Sequence, residues 1–216
     1  MIIQSKAIVI KSFPYGDTSL ISRVLIENGQ KLSIMIKGAK SLKSNKTALF
    51  QSLNLINMNY YHKDNRDMQL FKEGNLVDSF STVKKTFESM KFGLCMIDII
   101  DKALPKDYED QFMFDIVYKC LVQMDNNNDH KMVFVFFLLL FSHHNGYSVK
   151  ELEIDVLEDN DISKIFTQSD VAQNQYEKLL HSMNQSNTDD LIQQLLVFIR
   201  THIPEIKNVK SLKFVN

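Results

Sequence analysis

The chain has 216 residues, of which 44% are hydrophobic and 24% are charged, and its formal net charge is −1. This length fits one large domain or two small ones, and only six glycines and three prolines exclude a collagen-like or linker-dominated chain. The longest apolar run, residues 132–141, is ten residues long, whereas a helix that spans a membrane needs about 20. No basic region precedes the apolar start of the chain, so we expect a cytoplasmic protein without a secretory signal.

The first 80 residues have the alternating pattern of β-strands. Strands are predicted over residues 7–13, 20–26, 31–37, 53–61 and 68–72. Asn28-Gly29 predicts a tight hairpin between the second and third strands. The apolar phase of the fourth strand slips near residues 54–56, which predicts a β-bulge. Five short strands in about seventy residues favour a small barrel of the OB type.

After Asp78 the apolar period becomes helical. Helices are predicted over residues 83–104, 112–124, 132–141, 171–183 and 189–202, with Thr188 as the cap of the last one. The run at 132–141 is apolar on all sides, as in a helix enclosed by others. The predicted fold is therefore α+β: a five-stranded OB-fold barrel at residues 1–80, followed by an all-helical domain at residues 81–216.

The charge is divided unevenly between these two parts. Residues 1–82 carry eleven Lys and Arg against six Asp and Glu, and residues 83–216 carry fourteen against twenty. No acidic residue lies between Glu27 and Asp64, although that interval holds six lysines. Such a stretch is typical of a surface that binds a polyanion. A solvated loop whose lysines only serve solubility fits the charge equally well.

The sequence offers little for metal binding or catalysis. Its two cysteines, Cys95 and Cys120, form no CxxC pair, and the six histidines have no ligand spacing. We expect two reduced core thiols, although the spacing alone does not exclude a disulfide. Phosphate-loop and nucleophile-elbow motifs are missing, and Asp98 and Asp101 are interpreted as solvent-facing or capping charges. The prediction is a protein without enzymatic activity, metal or cofactor.

Several segments resemble the bacterial recombination mediator family RecO. Residues 7–40 are similar to its first three strands, with matching positions at Tyr15, Gly16, Asp17, Ser19, Gly29, Lys37, Gly38, Ala39 and Lys40. Residues 48–61, 74–105, 136–147 and 209–214 resemble later segments of the family in the same order. Two features depart from it. No four-cysteine zinc group follows Tyr147, which implies a zinc-free form, and the central helix lacks the arginine that many members carry.

The resemblance implies a DNA-binding mediator of recombination in DNA repair. Such a protein would bind single- and double-stranded DNA, anneal complementary strands, and with RecR help to load RecA onto single strands coated by single-stranded-DNA-binding protein. It implies a bacterial cytoplasmic, nucleoid-associated location and no membrane partner. Two alternatives remain: an OB-fold protein that binds RNA without a role in recombination, and an adaptor that binds only proteins.

Single-stranded nucleic acid is bound by cations along its phosphates and by aromatic rings under its bases. The predicted DNA-binding residues are therefore the barrel's lysines and two tyrosines: Lys11, Lys31, Lys37, Lys40, Lys43, Lys46, Tyr15 and Tyr60. For each aromatic side chain, burial in the barrel core is the commoner alternative. The acidic tail of the coating protein is predicted to bind at local basic positions of the helical part, Lys131, Arg200, Lys207 and Lys210.

Overall fold

The computed structural model describes residues 1–41, 44–64, 66–126, 129–147 and 188–215. Its first part is a closed barrel of five strands in the order β1-β2-β3-β5-β4. The strands are β1 Ile2–Tyr15, β2 Ser19–Ile26, β3 Lys31–Ile36, β4 Leu55–Tyr61 and β5 Met68–Asp78. Only β3 and β5 pair in parallel, and the other neighbours are antiparallel. The predicted five-stranded barrel is confirmed.

Strand β1 is buried on both of its faces. Ala7 and Val9 point into the barrel core, whereas Ile8 and Ile10 belong to the core of the helical part. Alternate side chains of a strand point to opposite sides, so one strand serves two cores. Leu25, Leu53 and Leu55 join Ile8 and Ile10 against the helices. The barrel is therefore packed directly onto the helices along this side.

Of the predicted local features of the barrel, the hairpin is confirmed and the bulge is not. The hairpin is present: Gly29 has φ +84°, and its N–H donates to the Ile26 carbonyl over 2.7 Å. The register of β4 with β5 shifts between Leu55 and Ile56, but the extra residue, Val77, is in β5, and β4 pairs with β1 without a shift. The predicted bulge in β4 is therefore wrong: Leu55 packs in the core of the helical part and Ile56 in the barrel core, so β4 is regular and apolar on both faces. Strands β1 and β5 extend well beyond their predicted ends. A short helix, α1 Lys46–Leu49, lies within the lysine-rich loop and was not predicted, since four residues are too few to show a helical period.

The second part consists of helices. They are α2 Phe87–Ala103, α3 Gln111–Asp125, α4 His130–His144 and α5 Thr188–His202, followed by 3-10 turns Pro204–Asn208 and Ser211–Phe214. Helix α2 begins four residues later than predicted, because the Thr86 hydroxyl caps it by accepting the Ser89 N–H. Residues 132–142 of α4 are all buried, as predicted for a central helix. The helix predicted at 171–183 lies outside the described residues. None of the described helices combines the length and the hydropathy needed to cross a membrane.

Candidate nucleic-acid interface

The lysine-rich segment after β3, residues 37–46, is called the basic loop below, and its described residues, 37–41 and 44–46, lie at one end of the barrel. Lys37 and Lys40 are exposed, and Lys46 is half-buried at the start of α1. The Lys40 backbone N–H donates to the Thr18 carbonyl over 2.9 Å, which ties the loop to the turn between β1 and β2. Lys43 lies outside the described residues. The three described lysines of the loop thus share one end of the barrel.

The ammonium groups of this loop are held by backbone oxygens. Lys40 Nζ contacts the Gly16 carbonyl and Lys46 Nζ contacts the Lys37 carbonyl, each at 3.3 Å. Backbone carbonyls orient an ammonium group without neutralising its charge. The loop therefore presents a net positive surface to solvent.

A groove of about 760 Å³ separates the basic loop and α1 from the second half of β5. It exists because β3 pairs with β5 only as far as Leu70, while β5 continues alongside β4 to Asp78. Residues 72–78 of β5 are exposed. Lys46 Nζ lies 6.0 Å from the centre of the Phe71 ring, which forms part of the groove wall. One wall of the groove therefore carries the Lys46 ammonium group, and the other wall is the exposed part of β5.

The two predicted tyrosines are in different environments. Tyr15, at the end of β1 beside the basic loop, is 50% exposed, and Phe13 is 43% exposed. Tyr60 is 2% exposed and packs in the barrel core, where burial, together with the charge of Glu109, raises the pKa of its hydroxyl. The prediction that Tyr60 stacks on bases is therefore wrong. Its alternation with Ile56 and Met58, which are also barrel core, was the sequence signal for this burial.

Lys11 and Lys31 lie at the junction between the barrel and α2, where they surround Asp101. Lys11 Nζ and Arg23 Nη1 approach the Asp101 carboxylate at 2.6 and 2.9 Å, and Lys31 Nζ donates to the Asp101 backbone carbonyl over 2.5 Å. The Asp101 side chain is 1% exposed, and those of Lys11 and Arg23 are about 40% exposed. Asp101 is therefore a buried ionic centre, and its interpretation as a solvent-facing or capping charge is wrong.

The electrostatics of this junction follow from burial and charge. Burial opposes ionisation of Asp101, but hydrogen bonds from Lys11 and Arg23 and their charges outweigh it and hold the Asp101 pKa below its ordinary value. Burial lowers the pKa of Lys31, and the neighbouring cations add to this effect while Asp101 opposes it. One carboxylate thus faces three cations. Lys11 and Lys31, which were both predicted to bind DNA, thus contact Asp101 of α2.

Both the barrel and the chain as a whole are similar to known proteins. The family model described as "Recombination protein O N terminal" matches residues 1–80, which contain the whole barrel. A protein named DNA repair protein RecO from Christiangramia forsetii is 23% identical over 239 aligned residues, covering 100% of this chain and 98% of the relative. The barrel thus matches the N-terminal domain of the RecO family, and the chain is similar to RecO proteins.

Other RecO proteins align over shorter stretches. The DNA repair protein RecO of Salinibacter ruber is 28% identical over 124 residues, which cover 57% of this chain and 48% of the relative. That of Pelodictyon phaeoclathratiforme is 29% identical over 148 residues, which cover 68% of this chain and 57% of the relative. The chain therefore spans about half the length of these two RecO relatives.

Two of the predicted partner-binding residues lie far apart. Lys131, at the start of α4, forms a salt bridge of 2.8 Å with Asp189 at the start of α5. Arg200 lies eleven residues further along α5, which is about 16 Å along a helix. Lys207 is exposed on the first C-terminal 3-10 turn, and Lys210 is exposed between the two turns. Lys131 and Arg200 therefore do not line one compact slot for an acidic tail.

The two cysteines of this chain do not provide a four-thiolate zinc group. Cys95 on α2 and Cys120 on α3 are free and buried, and burial raises the pKa of both thiols to about 12. Within the described ranges, no three His, Cys, Asp or Glu side chains lie close enough together to hold a metal ion. The two thiols are therefore core side chains and are not available as zinc ligands.

We expect the purified full-length protein to contain no stoichiometric zinc. Two protonated thiols on separate helices do not supply a tetrahedral set of ligands. Elemental analysis by mass spectrometry should find well under one zinc per chain, and EDTA should leave the thermal unfolding midpoint unchanged. One tightly held zinc per chain, or unfolding on addition of chelator, would contradict this prediction.

Proposed function

We propose that this protein is a DNA-binding mediator of recombination in DNA repair, and that the basic loop of its barrel is the DNA-binding site. The observation that carries the proposal is the run of lysines at this end of the barrel: Lys37 and Lys40 are exposed, Lys46 lines the groove beside β5, and the Nζ atoms of Lys40 and Lys46 contact backbone carbonyls. Lys37, Lys40, Lys43 and Lys46 would contact phosphates, and exposed Tyr15 would stack on a base. The name of the relatives, DNA repair protein RecO, supports the role in repair.

The proposed mechanism requires no catalytic residue. Two DNA strands repel each other through their phosphates, and lysines that neutralise phosphates reduce that repulsion while they leave the base edges free to pair. Because these contacts are made to phosphates, we expect the protein to bind single- and double-stranded DNA of any sequence. We propose that the protein anneals strands in this way and works with RecR to load RecA onto single strands coated by single-stranded-DNA-binding protein. This role places it in the bacterial cytoplasm.

Replacing Lys37, Lys40, Lys43 and Lys46 together with alanine tests the site. We expect at least tenfold weaker binding of a single-stranded DNA oligonucleotide, because each lysine lost removes one phosphate contact. The slope of log affinity against log salt should fall by about three units, at about 0.7 per contact for a single strand. Fluorescence anisotropy over a range of salt concentrations measures both quantities.

A matched variant controls for the change in net charge. Lys6, Lys63, Lys106 and Lys119 are also exposed and lie outside the basic loop, so their replacement with alanine changes the net charge equally. We expect this control to keep a slope within one unit of wild type. Equal slopes in the two quadruple variants would show that the basic loop is not the DNA-binding site.

Direct titrations distinguish DNA binding from the RNA-binding alternative. Wild-type protein is titrated with single-stranded DNA, duplex DNA and RNA of the same length at two salt concentrations. Phosphate contacts alone give similar affinities for the two single strands. A preference for RNA of more than tenfold would favour the alternative, because it would require contacts to the 2′-hydroxyl group.

A further inference from the structure

The last described residues of the chain alternate between buried and exposed positions with a period of three. Ile206, Val209 and Leu212 are 0%, 5% and 0% exposed and belong to the helical core. The residue after each of them is an exposed lysine: Lys207, Lys210 and Lys213. Lys207 lies in the first 3-10 turn, Lys213 in the second, and Lys210 between them, where the backbone of Val209 is extended. The three lysines are therefore spread along the surface outside these buried residues. We call these three residues the C-terminal lysine stripe.

An exposed pair of aromatic rings lies at the end of this stripe. Phe214 follows Lys213 directly and is 56% exposed, and Phe87, the first residue of α2, is 57% exposed. Their centroids are 5.6 Å apart and their planes are nearly perpendicular. The two rings are as exposed as Tyr15, although phenylalanine has no polar group to favour contact with water. Exposed aromatic rings beside cations are the elements from which single-strand sites are built.

A short chain of contacts connects these rings to the basic loop. The Asn54 amide donates to the carbonyls of Ala48 and Leu49 in α1, each over 2.9 Å. The Asn54 side-chain oxygen accepts from Lys84 Nζ. Lys84 and exposed Lys85 precede Phe87 by three and two residues. The Lys84 ammonium group is thus occupied by buried Asn54 and fixes α1 beside the segment that leads into α2, and exposed Lys85 is the cation between α1 and the aromatic pair.

The acidic groups close to the aromatic pair are paired with bases. Glu88 forms a salt bridge of 2.8 Å with Lys91, and Asp189 forms one of 2.8 Å with Lys131. Glu205 is the only acidic residue after position 200. Because Glu88 and Asp189 are compensated and the three lysines of the stripe outnumber Glu205, the stripe keeps a local positive potential in a part of the chain that is acidic as a whole.

We propose that single-stranded nucleic acid bound at the basic loop continues past Lys85, stacks on Phe87 and Phe214, and follows the C-terminal lysine stripe. This inference rests on the proposed DNA binding and extends it from the barrel to the helical part. A single strand fits better than a duplex because its unpaired bases can stack on exposed rings, whereas the bases of a duplex are already stacked. We call this path the extended site.

Two variants test the extended site with the full-length protein. The first replaces Phe87 and Phe214 with alanine, and the second replaces Lys207, Lys210 and Lys213 with alanine. Binding is measured with oligonucleotides of about 8 and about 30 nucleotides, because a single OB barrel contacts about 4–16. Circular dichroism checks that both variants remain folded.

Both variants should bind the long single strand about tenfold more weakly and the short one like wild type. The lysine variant should also lose about two units of salt slope on the long strand, at about 0.7 per contact. The aromatic variant should bind a duplex of about 30 base pairs like wild type. A control that replaces exposed Lys6, Lys63, Lys119 and Tyr108 with alanine should keep wild-type binding of the long strand.

The other outcomes overturn the proposal and can be told apart. Wild-type binding of the long strand by both variants would exclude the extended site, while the quadruple variant of the basic loop would still report on the barrel. If the variants kept DNA binding but lost binding of an acidic peptide, the surface would belong to a protein partner. If the wild-type protein bound neither oligonucleotide at low salt, the proposed function itself would fail, and the extended site with it.

Discussion

Replacing Gly29 with alanine is expected to lower the free energy of unfolding by about 3 kcal/mol or more. Gly29 is the second residue of the β2–β3 hairpin and has φ +84°. A Cβ atom there would lie 1.8 Å from the backbone oxygen of Asp110 and 2.1 Å from its carbonyl carbon. Both atoms are backbone, so the hairpin or the loop before α3 must move. Urea unfolding followed by circular dichroism measures the loss.

Gly16 provides the matched control for this substitution. It also has a positive φ, +56°, but a Cβ atom there would meet nothing within 4 Å. Alanine at Gly16 therefore suffers only the backbone cost of the left-handed region, about 1 kcal/mol. The difference in unfolding free energy between the two variants is the cost of the clash between the alanine Cβ at position 29 and the Asp110 backbone. Equal losses in the two variants would show that this clash does not occur.

Replacing Asp101 with asparagine is expected to destabilise the protein by about 2 to 3 kcal/mol at pH 7. Removing one partner of a buried ion pair typically costs about 3 to 5 kcal/mol because the other charge stays buried. Lys11 and Arg23 are about 40% exposed, so water compensates part of that cost. Asp98 to asparagine, one turn earlier on α2, is the control and should change stability by less than about 0.5 kcal/mol.

The effect of Asp101 should depend on pH in a defined direction. Its pKa is lower in the folded protein than in the unfolded chain, so its stabilisation is fully present above the unfolded value, about 3.9. This stabilisation is lost as the pH falls through the folded value. The difference between wild type and the asparagine variant should therefore be constant from about pH 7 to 5 and should shrink below about pH 4. A difference that persisted at about pH 2 would assign the effect to packing and not to charge.

The barrel was predictable because its signals are local. Alternation and the Asn28-Gly29 turn each depend on a few neighbouring residues, and each matches a feature of the structure. The slip of phase near Ile56 was wrongly interpreted as a bulge, because burial of both faces of β4 produces the same pattern. The ends of β1 and β5 were not predictable, because those residues are strand through pairing with β4 and are largely exposed. Exposed strand positions carry no pattern of hydrophobicity that marks them.

The candidate site was predictable only in part. Lysine spacing located the basic loop, but Lys11 and Lys31 contact an aspartate 90 and 70 positions away. No local pattern indicates that α2 places Asp101 between three cations. Arg23 was missed for the same reason. The C-terminal pattern of Ile206, Val209 and Leu212 was visible in the sequence, but its period of three matches neither an α-helix nor a strand.

The double burial of β1 has a consequence for the way this protein can be divided. If residues 1–80 were separated from the helices, Ile8, Ile10 and Leu25 would lose the apolar neighbours that they have in the shared core. Each fully buried aliphatic side chain contributes about 1.5 to 3 kcal/mol relative to exposure. We therefore expect barrel and helices to unfold together, so that damage to α2 also weakens the barrel that carries the basic loop. Residue 80 marks a change of architecture, but the free energy that holds the fold is shared across it.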